Sequence, residues 1–493
     1  MGYDSKDVFK QLQCALDENC ALKAHIKQLK HDINIFKQVN VQLKNLLTSQ
    51  TNQINKQSVQ IAELAAQNIL QAKFLEKLTD EVDRLKKQIN SNSSNSSLPP
   101  SKGQKTNIFN SREKSGKKSG GQPGHKGFHL SKSDIENKIA HGLVRHEIIN
   151  HGIGENFVSK FTIDINVEVI ATEHRFFSNI PNEFRPDVQY GDSIKTLSTM
   201  LVGRGIVASN RITELTASLT DGTIKLSDGS IYNWLAEFNN KAQRDIANIK
   251  TNLLNNPLLQ VDETAARCEG KNMHARNYST NSHVLYTLNQ TKGKQAIKDD
   301  DILPRFTGAM MHDHNTINYN YGTRHSECNV HLIRYLKANF ENTKNEWAND
   351  LANLLLASNT TRKIAIEKGF KCFTQYLLDR YQKRFDEILS TGFAANLNTK
   401  SRYFKKEELK LLRRLQKYKL NHLLFLEDFT IPFDNNLSER DLRTFKTKSK
   451  VSGCFRSLTG GRHFATLLSI IKTAIKQNQS PFHAVRNIFA NAS

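Results

Sequence analysis

Three acidic residues could carry out metal-dependent chemistry in a chain that is otherwise strongly basic. They are Asp262 in LLQVDET, Asp313 in GAMMHDH and Glu439 in DNNLSERDLR. The first two follow short apolar runs that predict buried strands, and the third opens a predicted helix. Two divalent ions held about 4 Å apart by carboxylates can activate the attacking oxygen of a phosphoryl transfer and stabilise the leaving one. The neighbouring acids that spacing alone does not exclude are Glu263, Asp434 and Asp441.

The charge balance indicates what such a site would act on. The chain has 70 Lys and Arg against 48 Asp and Glu, a net charge of +22 and an isoelectric point of about 9.6. A surplus of this size favours nucleic acid as the partner, although solubility alone can also produce a basic chain.

Cysteine usage and hydropathy narrow the compartment. The six cysteines form no CxxC pair and no dense framework, which fits a reducing cytosol. No apolar run approaches the ~20 residues of a membrane span, and MGYDSKDVFK at the start has no apolar signal-peptide core. We therefore expect a cytoplasmic, nucleoid-associated protein with no membrane partner.

Residues 1–90 predict a long coiled-coil helix. They contain no proline and one glycine, Gly2, and apolar residues recur on one heptad phase from Val8 to Ile89. A 3.5-residue period keeps one seam facing a partner helix, so we expect a homo-oligomer, with a dimer as the simplest form. An amphipathic helix packed on its own protein is the alternative.

Residues 91–132 change in composition and predict a flexible basic arm. Between Ser101 and Lys132 they hold eight Lys or Arg and one acid, Glu113. With little to bury, the segment is either a solvated linker or an arm that becomes ordered along phosphates. After it, residues 133–190 predict a small β unit, because FTIDINVEVIATEHRFF at 161–177 alternates like strands.

Residues 191–256 predict a helical, helix-turn-helix-like DNA-binding region. A first helix is expected over residues 211–219, and Asp221-Gly222 would break it. Ser227 or Asp228 would cap a second helix that runs to about residue 238. The residues that this arrangement would bring near a DNA groove are Ser230, Tyr232 and Asn233. A helical hairpin without a DNA-binding role is equally compatible with the pattern.

The rest of the chain predicts a mixed α/β scaffold. Residues 257–329 contain the strand-like runs LLQV, HVLYTLN and GAMMH, residues 330–428 predict a block of helices, and residues 429–493 are helical and basic. A central sheet would put Asp262 and Asp313 on neighbouring strands, and Glu439 would approach on a helix that crosses the sheet. Oxygen ligands of this kind suit Mg²⁺.

Several segments resemble the insertion sequence 66 family of DDE transposases. They are VDETAARCEGK, MMHDHNTINYN, ECNVHLIRYLK and the long block from DNNLSERDLR to IIKTAIKQ. SSNSSLPPSKG, GGQPGHKG, VQYGDSIKTL and LSDGSIYNWL are similar to that family too, so the resemblance covers nearly the whole chain in order.

This resemblance implies a fold, an activity and partners. The family's three acids carry over to Asp262, Asp313 and Glu439, which would hold two Mg²⁺ or Mn²⁺ ions. An RNase H-like core is implied at 257–329 and 429–493, with 330–428 as a helical insertion. The implied function is that of a bacterial insertion-sequence transposase, which binds double-stranded DNA at the element's ends, cleaves 3′ ends and joins them to target DNA. Element-encoded helper proteins are further expected partners.

Two further features of the sequence concern metal binding. Family members usually carry a Cys-rich zinc unit after the GHKG arm, but HEIINHGIGENF contains no cysteine, so we expect no structural zinc there. The nearby histidines are His125, His129, His141, His146 and His151. Cys328 and His331 in CNVH match a family pair, and they form either half of a secondary metal site or a buried helix pair.

Basic residues near the third acid are expected to contact DNA. Arg443 follows Glu439 by four residues on one helix face, so it either holds a phosphate beside the metals or forms a salt bridge with Glu439. The other expected phosphate contacts are Arg440, Lys446, Lys448, Lys450, Arg456 and Arg462, with Lys117, Lys118 and Lys126 in the arm.

Two other functions are compatible with the sequence. A non-enzymatic, coiled-coil DNA-binding or bridging protein would not need acids at all three motif positions. An inactive transposase remnant would explain the missing zinc unit, but the family motifs continue along the chain without a break.

Overall fold

The computed structural model describes residues 5–92, 95–96, 130–153, 158–177, 179–181, 184 and 186–490. Two compact units are present, Met1–Ile89 and Asn90–Ser493. Most of the predicted basic arm lies outside the described residues, as do Lys117, Lys118, Lys126, His125 and His129.

The first unit is one helix, α1 (Ser5–Asn90), of 86 residues. The absence of proline and of interior glycine lets the helix run uninterrupted. None of its described residues is buried, and seam residues such as Ile26, Leu29 and Ile33 are 49–52% exposed. The predicted long helix is therefore present, whereas its pairing with a second chain stays a prediction.

The second unit begins with a short helix and a long irregular segment. Helix α2 (Lys132–Ala140) starts with a capping box between Ser131 and Asp134. The strands predicted over residues 161–177 do not form, and Val167 and Val169 are exposed. Alternation fixes only the direction of side chains, whereas a strand also needs a neighbouring chain for its backbone hydrogen bonds, and no ladder is present in this described segment.

Four further helices lie between α2 and the sheet: α3 (Asp192–Gly203), α4 (Ser209–Leu219), α5 (Asp228–Lys241) and α6 (Gln243–Leu254). Helices α4 and α5 occupy the two positions expected for the helix-turn-helix-like pair. The chain reverses between them at Asp221 and Gly222, which both have positive φ angles, 47° and 78°. Ser227 caps α5 by accepting a 3.0 Å hydrogen bond from the Ser230 amide.

A five-stranded mixed sheet lies at the centre of the second unit. Its strands are β1 (Leu258–Cys268), β2 (Lys271–Ser279), β3 (Val284–Asn289), β4 (Ala309–His312) and β5 (Arg324–Glu327), in the spatial order β3-β2-β1-β4-β5. The first three strands are antiparallel neighbours, and β4 and β5 run parallel to β1. Helix α7 (Lys294–Asp300) connects the antiparallel and parallel parts. The predicted mixed α/β class is confirmed.

Two further groups of helices complete the unit. Between β5 and the last group lie α8 (Asn329–Thr343), α9 (Trp347–Glu367), α10 (Gln375–Leu397), α11 (Arg402–Lys417) and α12 (Lys419–Glu427). The last group comprises α13 (Asn436–Ser452), α14 (Leu458–Lys476) and α15 (Pro481–Ala490).

The hydrophobic core has two parts. One cluster joins the sheet to α3–α6 and α13–α15, and α14 packs against β3. The other lies among α8–α12 and includes Met311 and Cys328 from the end of the parallel strands. This second core gives the α8–α12 segment apolar packing of its own. Throughout the described residues, no helix combines the length and apolar character needed to cross a bilayer.

Candidate active site

The first two acids lie on adjacent parallel strands. Pairing between β1 and β4 ends at Gln260 and Met311, and Asp313 follows the end of β4. Asp262 lies two residues beyond the last paired position but inside β1, because β2 continues to pair with β1 as far as Cys268. The prediction that each acid follows the end of a strand is therefore correct for Asp313. Asp262 instead lies within β1, near the point where the pairing of β1 with β4 stops.

The third acid is brought to the sheet by α13. Glu439 lies in the first turn of this helix, which packs on β1 and β2 through buried residues such as Leu442 and Phe445. Ser438 fastens the start of the helix to β2, since its hydroxyl donates to Asn277 Oδ1 at 2.9 Å. The Asn277 side chain donates in return to the Ser438 carbonyl at 2.9 Å.

Asp313 and Glu439 converge with the residue pair from the CNVH motif. One ligand atom from each of Asp313, Cys328, His331 and Glu439 lies within 4.8 Å of the others. His331 Nδ1 is 3.2 Å from Asp313 Oδ2 and 3.8 Å from Glu439 Oε1. The fold thus brings the two carboxylates next to Cys328 and His331. The sequence alone was compatible with either a metal half-site or a buried helix pair at these two residues.

Electrostatics connect Asp262 to this group. Burial is the main cause that raises the pKa of Asp262 from 3.8 to about 7, and the negative charges of Asp313 and Glu439 add to it. The positive charge of Lys446 and a 2.7 Å hydrogen bond from the Glu263 amide act in the opposite direction. Burial would lower the pKa of His331, but its contacts with Asp313 and Cys328 raise it to about 11. The negative charges of the acids therefore favour a positive charge close to them.

Asn435 connects the three segments of the site, and sequence reasoning missed it. Its buried side-chain amide donates to the Val261 carbonyl at 2.9 Å and to Asp313 Oδ1 at 3.3 Å. Its backbone amide donates to Cys328 Sγ at 3.4 Å. An asparagine just before a predicted helix suggests an N-cap, but the Asn435 side chain makes no capping hydrogen bond.

The neighbouring acids are engaged elsewhere. Glu263 follows Asp262 on β1, so its side chain points to the opposite face of the sheet. There it pairs with Arg276 at 3.3 Å. Asp441 binds Lys476 at 2.7 Å and accepts a 2.9 Å hydrogen bond from Ser279. Asp434 accepts from the Asn436 amide at 3.1 Å. These contacts distinguish the neighbouring acids from Asp262, Asp313 and Glu439, which sequence spacing alone could not do.

A buried ion network underlies the site. Glu327 at the end of β5 contacts Arg414 at 2.5 Å, His314 at 2.7 Å and His422 at 3.4 Å, and accepts a hydrogen bond from Tyr319. Burial would raise the pKa of Glu327, but these hydrogen bonds and positive charges lower it well below its usual range. Because Glu327 precedes Cys328 and binds the residue after Asp313, it supports both.

The predicted DNA-contacting residues differ in their surroundings. Arg440, Arg443, Lys446, Lys450, Arg456 and Arg462 are exposed. Within the described chain, no ion pair joins Arg443 to Glu439, so the salt-bridge alternative has no support there. Lys448 is partly buried over the Phe464 ring at 5.8 Å, and burial lowers its pKa. Lys448 is thus less available for a phosphate than its neighbours.

The donor set fits a divalent cation. Glu439 Oε1 is a buried oxygen without a hydrogen-bond partner among the described residues, and oxygens of this type are normally satisfied. Asp262, Asp313 and Glu439 supply the oxygen ligands that Mg²⁺ or Mn²⁺ takes. By contrast, His141, His146 and His151 join no metal-binding group in the described part of the chain.

A mixed sheet with carboxylates at its centre and a helix crossing it is consistent with the α/β core of a transposase. Comparison of the sequence with protein families agrees with this fold. The family described as "Transposase IS66 family" matches residues 207–463, which is just over half of the chain. The chain therefore belongs to the IS66 family of transposases, as its motifs predicted. A second model, "Family of unknown function (DUF6444)", matches residues 22–131.

One similar curated protein is the "Uncharacterized protein y4jO" of Sinorhizobium fredii (strain NBRC 101917 / NGR234). It is 39% identical over 106 residues, which are 21% of this chain and 29% of that protein. The match spans less than a third of the relative's length, and its name gives no activity.

Proposed function

We propose that this protein is a metal-dependent DNA transposase that cleaves the 3′ ends of its own element and joins them to target DNA. The observation that carries the proposal is the convergence of Asp313 and Glu439 from distant parts of the sequence, together with their electrostatic effect on Asp262, whose pKa is raised mainly by burial. The strand order, with three antiparallel strands followed by two parallel ones, supports an RNase H-like core.

The chemistry assigns each group a task. Divalent cations held by Asp262, Asp313 and Glu439 would supply positive charge to the attacking and leaving oxygens. In the first step a water oxygen bonds to phosphorus, the P–O3′ bond breaks, and a free 3′-OH is left on the element. In the second step this 3′ oxygen bonds to a target phosphorus and the target's own P–O3′ bond breaks. Arg443 and Lys446 would hold the phosphate, and Asn435 orients Asp313.

The other segments provide binding. The α4–α5 pair would recognise the element's ends, whereas the basic arm and the exposed cations of α13 would hold backbone phosphates without reading sequence. Helix α1 would bring two chains together. Cytoplasmic, nucleoid-associated action and a contribution from helper proteins belong to the same proposal.

Substitution of each acid tests the proposal. In Asp262→Asn, Asp313→Asn and Glu439→Gln, cleavage of element-end DNA in Mg²⁺ or Mn²⁺ should be lost while DNA binding persists, because the basic surface is unchanged. Asp434→Asn is the matched control, since that carboxylate accepts from the Asn436 amide and joins no metal-binding group among the described residues. Cleavage close to the wild-type rate in any of the three variants would remove that residue from the site. Binding of element ends by the wild-type chain without cleavage would instead favour a DNA-bridging protein.

A further inference from the structure

The four-residue group of Asp313, Cys328, His331 and Glu439 contains more donor types than a magnesium site uses. It combines two carboxylates with a thiol and an imidazole, all within 4.8 Å. Asp262 is not part of this group. The proposed catalytic centre therefore has an oxygen-only side at Asp262 and a mixed side at Cys328 and His331.

The local fold positions the thiol and the imidazole. Cys328 stands at the N-cap of α8, and His331 follows three residues later on the same face of the helix. Cys328 is 3% exposed and accepts a hydrogen bond from the Asn435 amide. The start of α8 is thereby fastened to the start of α13, which carries Glu439.

Two buried oxygens at the group are left without hydrogen bonds. Among the described residues, Glu439 Oε1 and the side-chain oxygen of the neighbouring Asn435 have no hydrogen-bond partner, whereas His331 Nδ1 lies 3.2 Å from Asp313 Oδ2. The side chains of His331 and Glu439 are 13% and 22% exposed. Buried polar atoms are rarely unpaired, and two such oxygens in one place are consistent with a missing cation.

The donor types decide which ligand fits. Mg²⁺ takes oxygen ligands in an octahedral arrangement, whereas thiolate and imidazole select ions such as Zn²⁺ or Co²⁺. Four protein donors also match the tetrahedral coordination of Zn²⁺. Bonds of about 2.0–2.3 Å would separate the ligand atoms by roughly 3.3–3.8 Å, so the group would close by about 1 Å on binding.

We infer that Asp313, Cys328, His331 and Glu439 form a binding site for a thiophilic divalent transition ion of the Zn²⁺ class. The site shares two carboxylates with the proposed catalytic centre and so competes with Mg²⁺ there. This inference deepens the proposed function, on which only the competition rests. It concerns a different place from the missing zinc unit after the arm.

Cobalt spectroscopy on the metal-stripped full-length chain tests the site. Co²⁺ should give a near-ultraviolet sulfur-to-metal charge-transfer band, and Zn²⁺ should displace it. Cys328→Ser should abolish the band and weaken Co²⁺ binding by roughly tenfold or more, since the loss of a ligand costs at least as much as the loss of a supporting hydrogen bond. Cys268→Ser is the matched control, because Cys268 is equally buried but lies at the far end of β1.

A second variant covers the case in which Cys328→Ser does not fold. His331→Asn keeps the thiol, so it should retain the sulfur band while Co²⁺ titrates at roughly tenfold higher concentration. Circular dichroism establishes that each variant is folded. An absent band in the wild-type chain, or a band that persists in folded Cys328→Ser, overturns the inference.

Cleavage assays separate this inference from the proposed function. Mg²⁺-dependent cleavage without a sulfur band would overturn the transition-ion site and leave the transposase proposal standing. A sulfur band in a chain that binds element ends but does not cleave them in Mg²⁺ would support the site and count against the catalytic role. If both hold, added Zn²⁺ should inhibit cleavage, and excess Mg²⁺ should relieve the inhibition.

Discussion

The ionisation of Asp262 is opposed by its burial and by the negative charges of Asp313 and Glu439. Its pKa lies at about 7, so between pH 3.8 and 7 the folded chain keeps a proton that the unfolded chain has released. By linkage, the contribution of Asp262 to the free energy of unfolding falls as the pH rises through this window and stays low above it. The burial and repulsion that would favour a bound cation thus reduce stability when no cation is present.

Removal of this charge should stabilise the metal-free protein. In EDTA at pH 8, Asp262→Asn should raise the free energy of unfolding by on the order of 2 kcal/mol, with a smaller gain at pH 5 where Asp262 is largely protonated. Urea denaturation at the two pH values measures the difference, and Asp434→Asn should show no such pH dependence. Equal destabilisation at both pH values would contradict the burial and repulsion assigned to Asp262.

Glu327 has the opposite character, because its negative charge is stabilised by several partners. It joins β5 to Arg414 on α11 and to His422 on α12. Loss of one member of a buried ion network leaves the others desolvated and unpaired. This carboxylate therefore connects the inserted helices to the strand that precedes Cys328.

The substitution Glu327→Gln should destabilise the second unit by about 3 kcal/mol, since the partly buried Arg414 guanidinium loses its counter-charge. Chemical denaturation followed by circular dichroism gives the value. Glu387→Gln is the matched control: its pair with Arg384 is 3.1 Å long but about half exposed, so the change should cost less than about 1 kcal/mol. Similar losses in the two variants would mean that the network adds no stability beyond an ordinary surface pair.

At the residue scale, sequence patterns find the candidate metal ligands but not the residues that support them. Asp313 and Glu439 could be selected by motif, and the fold brings them together. Asn435 and Glu327 gave no signal, because their roles depend on contacts between segments that are far apart in the sequence. Nor could spacing indicate that Cys328 and His331 lie beside the acids.

At the element scale, helix α1 carries a row of exposed apolar residues along 86 residues. An isolated helix of this kind gains little from burial within its own chain, and the heptad phase predicts a partner helix. Most of its stability should then come from association.

A matched pair of substitutions tests the seam. A peptide spanning residues 5–90 should be helical and at least dimeric, and its helicity should rise with concentration. Leu29→Lys places a charge in the seam and should weaken association strongly, whereas Gln28→Lys adds the same charge outside it and should have little effect. Sedimentation equilibrium measures both. A wild-type peptide that remains a monomer at tens of micromolar, as a rough working concentration, would reject the seam.

Elements with strong local signals were predictable, and those held by distant contacts were not. The runs LLQV, HVLYTLN and GAMMH lie in β1, β3 and β4. Strand β2 was missed because it buries polar residues: Arg276 binds Asp300 at 2.8 Å, and Asn277 binds Ser438. Residues 161–177 show the reverse case, since their alternation is strand-like but no neighbouring strand pairs with them in the structure.

At the scale of the whole molecule, the net charge of +22 would give affinity for DNA, whereas recognition of a particular DNA sequence needs other contacts. Contacts to phosphates release counterions and make binding depend on salt, whereas contacts to base edges determine the sequence that is bound. We assign the first role to the arm and to α13, and the second to α4 and α5.

Deletion of residues 101–132 should separate the two roles. The deletion removes eight positive charges and one negative charge. If about half of these cations contact phosphates, the slope of log K against log salt should flatten by roughly three to four units. Discrimination between element ends and random DNA should survive. Salt titrations on both DNAs, with and without the arm, measure this, and lost discrimination with an unchanged slope would show that the arm reads sequence.

The order of the segments also determines when the acidic site can exist. Asp262 and Asp313 are synthesised first, and the whole α8–α12 block follows before Glu439 is made. Contacts between residues so far apart in sequence form late, and domains generally fold as their segments emerge during synthesis. A nascent chain therefore contains α4 and α5 well before it has three acids. On the proposed function, a product truncated ahead of α13 would bind element ends through α4 and α5 but would lack the Glu439 needed to cut them.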